Sequence, residues 1–178
     1  MAGTRAAFLE AAAVARQVAA SPVVAVRWAE SSALSEMTVG ALVAHLARAV
    51  TNVERSLEAP EPPSVAAVIS AAAYFAAVGP DLDSRINVRV RATSAEEALV
   101  GHRAVLGGMD RGLDRLRTRL ENEPEGRLVT VRDGEVLPGI GVAIQALVDI
   151  AAHHHGQLAV LRALARRERD PDQVLRVI

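Results

Sequence analysis

MTVGALVAHLARAVTNVERSLE, Met37 to Glu58, decides how this chain folds. Val39, Leu42, Val43, Leu46, Val50, Val53 and Leu57 recur at spacings of three and four, the period that gathers side chains onto one face of an α-helix. Thr38 stands just ahead of the run, where a hydroxyl can accept a hydrogen bond from an otherwise unpaired N–H of the first turn. The run stops at Pro60-Glu61-Pro62-Pro63, which cannot continue a helix. An apolar stripe of this kind must be covered, so the flanking sequence has to supply neighbours.

It supplies mostly helices. Thr4 to about Ala20 predicts a first, Ala-rich helix bounded by Ser21-Pro22, and the stretch from Val23 to Ser35 reads as a connector or a broken helix. Ser64 begins another apolar helical stretch that ends near Gly79-Pro80. Between Arg85 and Arg91, Ile86, Val88 and Val90 alternate with polar residues, as in a short strand or an extended loop. Ser94 and Glu97 match a capping box, opening a helix with Leu99, His102, Leu106, Met109, Leu113, Leu116 and Leu120 on one face. Leu128 to Val136 alternates around Asp133-Gly134, a hairpin signature. After Pro138-Gly139 a last long helix is expected from about Ile140 to Arg167, with a short helical turn in Asp170 to Ile178. Four long amphipathic helices predict an all-α fold, a four-helix bundle with short β-strand or hairpin insertions. No repeat or low-complexity linker divides residues 1–178, so one domain is expected.

Composition sharpens this picture. The chain has 178 residues, 51% of them hydrophobic, yet Phe8, Trp28, Tyr74 and Phe75 are its only aromatics. Ala occurs 35 times, which suits slim, closely approaching helices. All 20 basic residues are Arg, against 21 acidic ones, and the net charge of -1 argues against nucleic acid as a partner. The absence of Cys excludes a disulfide framework, a thiolate metal cage and a protein-borne thiol nucleophile. Arg5, Glu10 and Arg16 interrupt any signal-peptide core. The longest uncharged run, Pro62 to Pro80, opens on prolines and is dominated by Ala, so a buried helix rather than a membrane span is expected, in a cytoplasmic protein. Val65 to Val78 could instead pack against a second copy, giving a homodimer.

Chemistry must come from few residues. Three of the five histidines are consecutive, His153, His154 and His155, and successive helix positions are about 100° apart, so at most two can share a site. His154 falls in the middle of a stripe formed by Leu147, Ala151, Leu158 and Leu161. Asp149 and His153 form an i, i+4 pair on another face; together they can ligate one divalent ion, or the Asp can orient the His. His45 stands at the edge of the apolar stripe near Leu42, Leu46 and Ala49, and is either a core imidazole bonded to a neighbour or a ligand; His102 is open to the same two readings. No Glu stands three residues before a His, as a ferritin-type di-iron site requires, and no G-x-S-x-G, P-loop or dinucleotide fingerprint occurs. The arginines at 162, 166, 167 and 169 read as a solvated helix end or an anion site.

Met37 to Val50, MTVGALVAHLARAV, resembles the second-helix signature of DinB-like metalloproteins, closest to the mycothiol-dependent maleylpyruvate isomerase group. Ser31 to Leu34 fits the approach to that helix, and HHHGQLAVLRAL, His153 to Leu164, resembles the family's last bundle helix. The resemblance spans roughly residues 4–168. It implies a divalent metal, zinc or nickel, held by His45 and by two residues one turn apart on the last helix. In the DinB-like register His154 is a ligand and its partner position is Ile150; in the isomerase register Asp149 and His153 complete the set. The implied activity is that of a transferase or isomerase using mycothiol or a similar small thiol on a small electrophilic substrate. The missing Cys accords with a borrowed thiol, and the Arg-only basic set with a GC-rich actinobacterial genome. Two other readings stand beside it: a non-catalytic bundle that binds a ligand or partner through a degenerate metal site, and a metal-dependent hydrolase on the same scaffold.

Overall fold

Thr38 caps the decisive helix as its position requires. Its backbone is extended, and its hydroxyl accepts the Ala41 N–H at 3.1 Å. The helix it opens runs Val39–Glu58 and is the third of seven in a computed structural model that describes residues 2–32, 34, 36–62, 67–78, 81–124, 126–131 and 140–155. In chain order the elements are α1 (Ala2–Ala19), α2 (Pro22–Val26), α3 (Val39–Glu58), β1 (Ala67–Ile69), α4 (Ala71–Val78), α5 (Arg85–Ala98), α6 (His102–Asn122), β2 (Leu128–Thr130), β3 (Ile140–Ala143) and α7 (Ile144–His155). All seven positions of the predicted α3 stripe are buried. So are Ala41, Ala44, Ala47 and Ala49 between them, which makes α3 a central helix rather than one with a single dry face.

The helices around it bury narrower stripes. Phe8, Ala12, Ala15 and Ala19 line the inner face of α1 at spacings of four, three and four. Val105, Leu106, Met109, Leu113, Leu116 and Leu120 do the same on α6. Ile144, Leu147, Val148, Ile150 and Ala151 are buried on α7. α1 packs against α6 and α7, and α3 against α6, α7 and, more lightly, α1, so these four close a bundle around one core. Small residues set the spacing at the α3–α6 contact: a Cβ added at Gly112 would lie 3.3 Å from Val50 Cγ1. The fold is all-α with short strand insertions, and among the described residues no helix is long and apolar enough to cross a membrane.

Several local expectations are corrected. Residues 85–91 form no strand: Ser84 caps α5 by accepting the Asn87 N–H at 3.3 Å, and the helix continues to Ala98. An alternating run needs a partner strand for its backbone groups, and α5 instead lies along α3. Ser94 therefore opens no helix; it is buried inside α5, and its hydroxyl donates to Val90 O at 2.6 Å. The break before α6 falls at Gly101, whose φ of 87° suits glycine. The helix expected from Ser64 to near Gly79-Pro80 is divided within its described residues, with β1 first and α4 after Ser70, whose hydroxyl accepts the Ala73 N–H at 3.2 Å.

The last long helix begins four residues later than expected because Ile140–Ala143 is drawn into a sheet of order β1-β3-β2. There Ala67 to Ile69 pair in parallel with Ile140 to Val142, and Leu128 to Thr130 run antiparallel to Ala143 to Gly141. The first strand of the predicted hairpin is present and pairs with β3, beyond Pro138, while its expected second arm lies outside the described residues. Its Asp133-Gly134 turn, the helix from 156 to 167 and the C-terminal turn lie outside the described residues.

Candidate functional site around His45

The Leu42–Leu46 portion of α3 is buried, and His45 is half-buried at its edge, as helix phase requires. Its Nδ1 lies 3.2 Å from the Nη2 of Arg48, three residues on. A guanidinium has only donors, so Nδ1 is the acceptor and a neutral ring carries its hydrogen on Nε2. A metal-ligating imidazole has the reverse arrangement: one nitrogen gives its lone pair to the ion and the other donates to an acceptor. In this arrangement a cation engages the Nδ1 lone pair, and a divalent ion at that nitrogen would have to displace it.

Arg48 is tied into the facing helix. Its Nη2 also lies 3.3 Å from Val90 O and within hydrogen-bond distance of the Ser94 hydroxyl, so its two hydrogens are shared among three acceptors, and its Nε stands 3.6 Å from Glu97 Oε2. Burial pulls the Arg48 guanidinium below its ordinary range; Glu97 opposes that shift and Arg55 adds to it. Burial likewise raises the Glu97 carboxyl, more than Arg48 and Arg55 lower it. A carboxyl raised by folding favours the fold below its ordinary pKa, and that contribution is lost as pH rises through the raised value. Glu97→Gln should therefore be neutral near pH 4 and gain stability relative to the parent by pH 8. Urea midpoints across that range check it, and a gain confined to acid would overturn the assignment.

A second cluster, at the end of the bundle, accounts for His102. Its Nε2 donates to Ala19 O at 2.7 Å, satisfying a carbonyl at the end of α1. Its ring meets Trp28 edge-on, with centroids 5.3 Å apart. Trp28 Nε1 donates to Ala98 O at 3.1 Å, and the indole covers Gly40 so closely that a Cβ there would lie 2.6 Å from Cε2. His102 is thus a structural imidazole. The role of Trp28 as a keystone went unread in the sequence, although the lone Trp and a Gly in the first turn of an otherwise apolar helix were the available signals.

Asp149, His153 and His154 belong to α7 by backbone, and α7 packs on α3, the helix that carries His45. Their side chains, and the arginines at 162, 166, 167 and 169, lie outside the described residues. Among the described residues no three His, Asp or Glu side chains gather as a metal cluster. An open groove of about 620 Å³ runs along α6 past Arg115 and Arg119, away from His45. Its cations are already neutralised: Arg115 grips Glu54 with two hydrogen bonds, and Arg119 Nε reaches Glu123 at 3.0 Å. Comparison with protein-family models, with curated proteins and with solved structures finds no match for this chain.

Proposed function

We propose that this chain is a non-catalytic helical-bundle protein that binds a ligand or partner and carries a degenerate metal site. The contact between Arg48 and His45 carries this reading, because it places a cation on the lone pair that a metal would need. The partner is a small molecule or a second copy of the chain. For the second copy, Val68 on β1 is 55% exposed within the apolar stretch Val65 to Val78. A monomer by sedimentation velocity at tens of micromolar would remove that copy from the reading.

The thiol-cofactor transferase or isomerase is the second reading, and the packing of α7 on α3 favours it. That packing runs the helix of Asp149, His153 and His154 beside the helix of His45. A bound zinc or nickel ion would supply an acidified mycothiol-type thiol there, and a hydrolase on the same scaffold would need the same ion. Metal analysis of tag-free protein separates these readings from the first. After incubation with excess zinc or nickel and dialysis, the expected content is well below one ion per chain. Mycothiol conjugation to an electrophile should not exceed the rate without protein. One ion per chain, lost in His45→Ala, would overturn the degenerate site and restore a metal-dependent enzyme.

A further inference from the structure

We infer that α5 is a polar-clasped strap over the His45 face of α3, and that it opens as a unit while the four-helix core stays closed. The inference does not depend on what His45 binds. Its basis is how little apolar surface holds α5 down. Of its 14 residues only Ser94 and Ala98 are buried, and Ala98 alone joins the core, while Val88 is 48% exposed. α6 and α7, which also pack along α3, each bury several large aliphatic side chains, and burial of that kind carries most of a helix's docking free energy.

Polar contacts take the place of a core. Arg48 reaches across from α3 to Val90 O and the Ser94 hydroxyl. Arg91 Nη2 pairs with Glu36 at 2.8 Å, ahead of α3. At the far end Ala98 is buried and its carbonyl is held by Trp28, just before Gly101 with its φ of 87°. The C-terminal end of α5 is therefore the hinge, and the N-terminal two-thirds the moving part. Water can replace each polar contact as it breaks, whereas nothing replaces buried apolar surface, so α5 lies at the low-stability end of the molecule. Opening would release Arg48 from its α5 partners and so loosen its contact with His45, making α5 a gate on that contact.

Native-state hydrogen exchange of the intact chain, read by mass spectrometry on peptides from α3, α5 and α6, tests this. Amides of α5 from Val88 to Ser94 should exchange at least ~100-fold faster than those of α3 and α6, at rates set by local rather than global opening. Arg48→Gln should speed α5 exchange a further ~10-fold and leave α6 unchanged, as expected for losing hydrogen bonds from a charged donor. Should Arg48→Gln fold poorly, Arg91→Gln tests the same clasp from the exposed side, with a smaller acceleration confined to α5. Wild-type α5 amides as slow as those of α3 and α6, or a variant that accelerates all three helices equally, would overturn the strap.

Discussion

Phe8→Ala is expected to lower the unfolding free energy by about 4 kcal/mol, the range found when a fully buried aromatic is cut back to Ala. Phe8 is completely inaccessible and is among the largest of the fully buried side chains. Its neighbours along α1 are Ala12, Ala15 and Ala19, whose methyls cannot swing into the vacated space. In a chain with four aromatics, one ring holds α1 in the bundle that Leu and Val of α6 and α7 complete. Urea unfolding followed by far-UV circular dichroism measures the loss. A change below about 1 kcal/mol would mean that α1 repacks and that its burial contributes little. With total stabilities of typically 5–15 kcal/mol, the variant should lie close to its unfolding limit at 37 °C.

Gly40→Ala should be damaging for the opposite reason, with a loss of about 2 kcal/mol from overpacking, even though Ala is the better helix former. The new methyl would stand 2.6 Å from Trp28 Cε2, 2.7 Å from Nε1 and 2.9 Å from Cδ2. The indole has no easy retreat. Its Nε1 is bound to Ala98 O, His102 lies against its edge, and its backbone carbonyl accepts the Gly40 N–H at 2.8 Å. Because Trp28 is the only tryptophan, its fluorescence reports both the local shift and the global unfolding midpoint. A variant with parental stability and an unchanged emission maximum would show that the ring moves freely and is no keystone.

The two substitutions divide along the line between what was legible in sequence and what was not. The stripe of α3, its Thr38 cap and the inner face of α6 from Leu106 to Leu120 stand in the structure as periodicity predicted. A spacing of three and four is a property of the helix itself and needs no knowledge of the partner. The segments that went astray are those whose local pattern is satisfied equally well by two backbones. Arg85 to Arg91 alternates like a strand, but Ser84 offers a cap and α3 a surface to lie on. Ile140 to Ala143 reads as the start of the last helix, yet it is a strand because β1 and β2 bring two edges to it.

The candidate site divides in the same way. The sequence by itself put His45 at the edge of a buried stripe, ruled out any thiol chemistry based on Cys, and placed Asp149, His153 and His154 on a later helix. Only tertiary structure decided what meets His45. Arg48 is three residues away on the same helix, yet it turns to the imidazole because α5 brings Val90, Ser94 and Glu97 to hold its guanidinium there. Periodicity fixes which face of a helix a residue occupies, since that follows from backbone geometry alone. Which lone pair is engaged, and by which donor, depends on contacts between segments more than forty residues apart, and those exist only once the helices have packed.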